Sequence, residues 1–197
     1  MRDQAKVVIV GGGIMGLSIA YHLAKNHGIT DTVVLEKGYL CGGASGRNGG
    51  GVRAQFGSEE NIQLMRESIQ MCRDFAAEMK INVWFRQGGY LFLCRTEESK
   101  KRLEASVKIQ NDCGLGTKLL EPKEAKRIVA ELDTDGVLGA SYNPDDGVVF
   151  PWPFVWGYAE CASSLGVDIA TFTEVTGFRT KGSRIEAVLT SRGEIKT

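Results

Sequence analysis

The chain has 197 residues and 43% of them are hydrophobic, enough for one ordinary domain or two small ones around a true core. Its 24 Lys and Arg balance its 24 Asp and Glu, which excludes a net field drawing it to nucleic acid or anionic lipid. No apolar run reaches the ~18 residues of a membrane span, and residues 1–16 read as a strand and glycine turn rather than a signal peptide, so a cytoplasmic protein is expected. Cys41, Cys72, Cys94, Cys113 and Cys161 form no CxxC pair and have only His22 and His27 to help them bind metal, so free thiols and no metal site are expected.

Taken in chain order, Val7-Val8-Ile9-Val10 is a β-branched run that breaks into Gly11-Gly12-Gly13-Ile14-Met15-Gly16. In this GxGxxG turn Gly11 permits the tight bend, Gly13 lets backbone approach a pyrophosphate, and Gly16 lets helix and strand pack closely. Ile14, Leu17, Ile19, Ala20 and Leu23 continue at helical spacing. The free N–H groups and partial positive charge of that helix start bind an anion without a Lys or Arg. A second β-branched run, Thr32-Val33-Val34-Leu35, leads into Glu36, 20 residues beyond Gly16. A carboxylate there accepts hydrogen bonds from both ribose hydroxyls and repels a 2′-phosphate, leaving FAD or NAD as the ligand rather than NADP.

Cys41 to Val52 holds six glycines and reads as irregular. Cys41 stands at the head of this loop, where packing is favoured over a cofactor contact. Ser58-Glu59-Glu60 starts a helix expected to run to about Lys80, and a different subdomain begins near Asn82. Gly89–Cys94 reads as a buried strand, 97–112 as an amphipathic helix ended by Gly114, and 118–120 as a short strand. Pro122 opens a helix through Leu132, Val137–Tyr142 alternates as a strand, and Asn143–Gly147 is a turn. A helix follows over 151–165, in which Trp152 and Trp156 are expected to be core more than pocket wall. Four runs, 167–175, 176–180, 184–190 and 194–197, read as an antiparallel meander. A βαβ nucleotide fold needs further parallel strands, and none follows the meander, so a fragment or split subunit is expected.

Four stretches carry a family resemblance: VVIVGGGIMGLSIAYHLAK, VVLEKGYLCGGASGRNGGGVR, GGYLFLCRTEE, and VWGYAECASSLGVDIATFTEVTGFRTKGSRIEAVLTSRGEIKT. Together they resemble the FAD-dependent amine and amino-acid oxidoreductases of the D-amino-acid oxidase type, in particular the sarcosine oxidase and L-proline dehydrogenase β-subunit branch, over their N-terminal half. The resemblance implies an α/β fold: a Rossmann-like FAD-binding βαβ unit with an antiparallel β-meander, an inserted α+β substrate-domain segment and an incomplete sheet. It divides the chain into 1–81, the first part of the FAD-binding domain; 82–150, the insert; and 151–197, the return helix and meander.

The same resemblance implies noncovalent FAD. Gly11, Gly13 and the backbone at Ile14 and Met15 would hold the pyrophosphate, Glu36 the adenosine ribose, and Lys37 would lie beside the adenine. Ala44, Ser45, Gly46, Arg47, Asn48, Gly49, Gly50 and Gly51 would run beneath the pyrophosphate and ribityl chain, and Val175 would meet the adenine edge. Pro151 stands where related β subunits carry a histidine bound covalently to FMN, which excludes that linkage here.

The implied reaction is oxidation of the C–N bond of a secondary or primary amino acid such as sarcosine or proline, with hydride transfer to flavin N5. Arg53, just past the glycine loop, is the candidate cation for the substrate carboxylate, and no residue is nominated as a catalytic base. Other subunits of a hetero-oligomeric oxidase or dehydrogenase are expected partners, and the isolated chain is expected to have little turnover. Two other readings stand beside this one: a noncatalytic FAD-binding or assembly subunit completed by another chain, and an NAD-binding dehydrogenase domain, against which the second glycine-rich loop argues.

Overall fold

The protein was described by a computed structural model covering residues 2–197. Its elements fall into two units, one made of residues up to Gly49 with Phe75–Val83 and Phe150–Thr197, the other of Gly50–Asp74 and Trp84–Val149.

In the first unit the β-branched runs form parallel strands β1 (Val7–Val10) and β2 (Thr32–Leu35), with Val7 opposite Thr32 and Val10 opposite Leu35. Helix α1 (Ile14–His27) joins them and buries Leu17, Ala20, Tyr21 and Ala24 on one face. It stops at Gly28, whose φ of 65° suits glycine; the Gly28 and Ile29 N–H groups close the last turn on Ala24 and Leu23. All four residues of β2 are buried because it is the central strand. Its second neighbour is β8 (Asp168–Ala170), parallel and in register from Val33 opposite Asp168 to Leu35 opposite Ala170.

The β8 pairing corrects the reading of 167–175 as part of the meander. Helix α5 (Pro151–Ser164) returns the chain to the buried β2 edge, where parallel pairing satisfies both backbones; the meander starts only afterwards. It consists of β9 (Val175–Lys181), β10 (Arg184–Thr190) and β11 (Gly193–Lys196), antiparallel in the order β11-β10-β9. Ala5, Val33, Leu35, Val188 and Ile195 form one buried cluster that joins the meander to the parallel sheet. Around α5, Phe75 is 2% exposed and meets the rings of Phe154 and Tyr158 at 4.3 and 5.2 Å.

The second unit has the antiparallel sheet β4 (Tyr90–Cys94), β6 (Gly139–Asn143) and β5 (Lys118–Leu120), with β6 central. A two-residue ribbon pairs β3 (Gly51–Val52) with β7 (Gly147–Val148). Helix α3 (Glu97–Asp112) opens on a capping box in which Thr96 and Ser99 satisfy each other's backbone N–H groups. Helix α2 (Glu59–Met79) carries Glu59 and Glu60 in its first turn.

Three local expectations are corrected here. Helix α4 (Pro122–Ile128) ends before Leu132: of its residues only Ala125 is buried and 126–131 are exposed, so extending it would bury nothing. Strand β6 begins at Gly139 rather than Val137 and does not alternate, because as the central strand it has four of its five residues buried. The Cys41–Val52 loop is not wholly irregular, since it contains a 3-10 turn over Ala44–Gly46 and then β3.

Two predictions concern packing. A Cβ at Gly157 would lie 2.8 Å from Ile81 Cγ2 and 2.9 Å from Phe75 Cε1, so Gly157→Val should cost about 1–3 kcal/mol in urea unfolding; an unchanged midpoint would contradict this packing. Burial pushes the Cys72 thiol up to about 11, so at pH 8 iodoacetamide should alkylate it roughly tenfold or more slowly in the folded protein than in urea. Equal rates would show that the thiol is not shielded.

Candidate dinucleotide site

Strands β1 and β2 end side by side at Val10 and Leu35, and ligands of open parallel sheets collect at such carboxyl ends. The chain leaves the sheet at Gly11, whose N–H still donates to the Leu35 carbonyl at 2.8 Å and whose φ is 111°. That conformation belongs to glycine. A Cβ at Gly16 would sit 2.1 Å from the Gly11 carbonyl oxygen, so α1 can start only where residue 16 has no side chain.

Gly13 caps α1 with no side-chain hydrogen bond of its own, and the helical ladder begins with Leu17 N–H donating to the Gly13 carbonyl. The earlier N–H groups lie outside that ladder. The Ile14 N–H donates to Ser45 Oγ at 3.0 Å, Met15 occupies the next position of the first turn, and a Cβ at Gly13 would fall 2.9 Å from Ser45 Oγ. Backbone donors, a helix N-terminus and a surface cleared of side chains are what a pyrophosphate needs.

Glu36 follows β2 with its carboxylate held by backbone. Oε2 accepts from Gly12 N–H and Oε1 from Gly38 N–H, each at 2.8 Å, leaving further lone pairs on both oxygens for hydroxyl donors. A cleft of about 310 Å³ opens beside it, lined by Gly11, Glu36, Lys37, Thr173, Glu174 and Val175 among others. The residues singled out in the sequence at three separate places, Gly11, Glu36 with Lys37, and Val175, thus share one cavity. Thr173 and Glu174 were not anticipated. The buried Thr173 donates its N–H to the Glu36 carbonyl at 2.8 Å and pins the link into β9; a fixed position after a parallel strand was hidden while 167–175 read as one extended run.

The glycine loop continues through the 3-10 turn Ala44–Gly46. Asn48 closes this turn, its amide donating to the Ser45 carbonyl at 2.7 Å, while Arg47 and Gly49 are exposed. Trp152 packs beneath: a Cβ at Gly46 would be 3.1 Å from its ring, which stacks on Tyr39 at 6.2 Å. That tryptophan is half-buried and packs against the loop, whereas Trp156, also expected to be core, is 45% exposed, a correction to that expectation. Cys41 is buried, with its N–H toward the Gly12 carbonyl at 3.4 Å. Pro151 is the first residue of α5, and its ring nitrogen is the acylated backbone nitrogen, which leaves no nucleophile for a covalent flavin link. All five cysteines are free thiols, and the described residues contain no group of three or more His, Cys, Asp or Glu able to hold a metal and no helix long and apolar enough to cross a membrane.

Gly50, Gly51 and Arg53 belong to the second unit. Gly50 has a φ of 70° and its carbonyl accepts from Val149 N–H, and Gly51 opens β3. The guanidinium of Arg53 lies over three rings, 4.7 Å from the centre of Phe56, 5.3 Å from Phe92 and 5.8 Å from Tyr90. Its Nε is buried without a hydrogen-bond partner, and it takes part in none of the ion pairs among the described residues. A cation so held on an apolar floor is chemically suited to receive an anion.

The residues after Arg53 are held by Asp146, fully buried, which the sequence offered only as part of a turn. Its oxygens accept from Ala54 N–H at 2.8 Å and Gln55 Nε2 at 2.9 Å. Burial pushes its carboxyl up from the usual range, against the opposing pull of those two hydrogen bonds and of the Arg53 charge.

Comparison with known proteins accords with this geometry. Residues 6–197 match the family described as FAD dependent oxidoreductase. The chain is 35% identical over 198 residues to sarcosine oxidase subunit beta of Rhodobacter capsulatus, covering 98% of this chain and 48% of that protein. It is 37% identical over 203 residues to the Arthrobacter sarcosine oxidase subunit beta, covering 98% and 49%. Among solved structures, L-proline dehydrogenase from P. horikoshii superposes with a TM-score of 0.91 at 37% identity, over 100% of this chain and 51% of that one. The chain therefore spans about half the length of the relatives it matches. Its Rossmann-like strand, glycine turn and helix, its acid after β2 and its match over nearly every residue place this chain in the FAD-dependent oxidoreductase family.

Proposed function

We propose that this chain is the FAD-binding part of a flavoenzyme that oxidises the C–N bond of a secondary or primary amino acid. The observation that carries the reading is the cleft where Gly11, Glu36, Lys37 and Val175 converge beside the free N-terminus of α1. In this reading Gly11, Gly13, Ile14 and Met15 hold the pyrophosphate through backbone, and Glu36 takes the ribose hydroxyls with the oxygen lone pairs left by Gly12 and Gly38. Lys37 and Val175 border the adenine, and the loop from Ala44 through Ser45, Arg47, Asn48 and Gly49 to Gly50 and Gly51 follows the ribityl chain. Residues 1–81 and 151–197 then serve as the FAD-binding domain and 82–150 as the substrate-domain insert.

When bound, FAD supplies the acceptor for the hydride equivalent lost from the substrate α-carbon. The chain's own contribution on the substrate side is Arg53, which fixes the carboxylate and so orients the amine-bearing carbon. Sarcosine and L-proline are the first substrates to test, since the relatives named above are a sarcosine oxidase subunit and an L-proline dehydrogenase. Subunit relatives also favour assembly with other chains. A second reading, a noncatalytic FAD-binding subunit completed by another polypeptide, is favoured by β1, which among the described residues pairs with β2 alone and leaves Val10 56% exposed at the sheet edge. Copurification with a strand-donating partner, and no turnover without it, distinguishes that reading.

Two outcomes are expected. Protein purified with FAD should show flavin absorption bands that acid releases, and Glu36→Ala should weaken FAD binding by roughly 10- to 100-fold, the worth of charge-assisted hydrogen bonds; a colourless protein that binds only NAD would sink the assignment. In the complete enzyme, Arg53→Ala should raise KM for sarcosine or L-proline by about tenfold or more. An unchanged KM would remove Arg53 from the substrate site.

A further inference from the structure

Arg53 follows immediately on a very short ribbon. The β3–β7 ladder has two pairs, Gly51 with Val148 and Val52 with Gly147, and stops one residue before the arginine. Left there, the segment carrying a cation needed for orientation would fray. Asp146, directly before β7, takes over from the ladder by accepting the Ala54 N–H, so the residues on both sides of Arg53 are tied to the same strand.

Gln55 extends the tie to the strands that carry the aromatic floor. Its Nε2 donates to Asp146 Oδ2 and, at 2.8 Å, to the carbonyl of Tyr90; its Oε1 accepts from Ser141 Oγ at 2.7 Å. Tyr90 supplies one ring beneath the guanidinium, and Ser141 is the cross-strand partner of Phe92, which supplies another. Asp146, Gln55 and Ser141 are all buried. Asp146 spends an acceptor on each of Ala54 and Gln55, and no hydrogen bond joins it to the Arg53 Nε, so its charge balances the guanidinium without occupying that donor.

We propose that Asp146, Gln55 and Ser141 form a clamp that positions Arg53 over its aromatic floor as the receiver of the substrate carboxylate, without touching substrate themselves. The proposal rests on the reading of Arg53 given above. These are positioning residues: they hold the loop that bears the cation in register with β4, which bears two of the three rings.

The test is NMR of the 15N-labelled, FAD-loaded protein, with acetate as the carboxylate probe and acetamide as its neutral control. The Arg53 Nε–H resonance should lie upfield of bulk arginine, because it sits over three rings, and should move saturably with acetate but not with acetamide. Asp146→Asn sets an amide donor against the Gln55 amide; it should return the resonance toward the bulk position and weaken acetate binding by about fivefold or more. Ser141→Ala should act in the same direction and decides the matter if Asp146→Asn does not fold. An acetate response in the native protein that survives both substitutions, with the resonance unmoved, overturns the clamp and leaves Arg53 as the cation. Absence of any acetate response in the native protein overturns the substrate reading of Arg53 and the clamp's purpose with it.

Discussion

The close approach of Gly16 to the Gly11 carbonyl is the constraint on which the nucleotide-binding unit depends. With a Cβ only 2.1 Å from that oxygen, any side chain at position 16 would force α1 away from β1. The approach keeps the first turn of α1, whose N–H groups lie outside the helical ladder, at the end of the sheet formed by β1 and β2. Electrostatics follow from packing here: in the proposed reading the turn attracts an anion through oriented backbone, so a chain with no net charge needs no side-chain cation there to take up a pyrophosphate.

A second layer of backbone contacts makes that opening specific. Glu36 is braced by Gly12 and Gly38, and the segment entering β9 is pinned to Glu36 through the Thr173 N–H. The acid and the segment entering β9 are therefore one hydrogen-bonded assembly, which holds Gly11, Glu36 and Val175 around one cleft of about 310 Å³. Ser45 ties the glycine loop to the start of α1 by accepting from Ile14, and Trp152 fills the space under Gly46. Each contact uses a small residue or a main-chain group, consistent with a surface shaped for a long ligand lying along it.

Much of this was legible in the sequence because it was local. A β-branched run, a glycine turn and an amphipathic helix are short-range patterns, and the acid after β2 sits at a distance set by one βαβ unit. What escaped was non-local. The β8 strand reads like its meander neighbours in composition, and only the buried edge of β2 makes it parallel. Helix α4 carries apolar residues at helical spacing past Ile128, but no surface lies there to bury them. Asp146 sits in a run that any reading by turn chemistry assigns to a solvent-facing bend, and its burial depends on Gln55, 91 residues away. Arg53 could be named from its place after the glycine loop, whereas its aromatic floor could not, since Phe56 comes together with Tyr90 and Phe92 of β4 only in the folded unit.

The central claim is that a dinucleotide lies along the backbone of the glycine turn with its adenosine beside Glu36 and Val175. Amide chemical shifts of the 15N-labelled protein, followed as FAD is added, test it at each of those residues. The account predicts that Gly11, Gly13, Ile14, Met15, Lys37 and Val175 respond together and saturate at one FAD per chain. Responses confined to other surfaces, with the Gly11–Met15 amides unmoved, would contradict it.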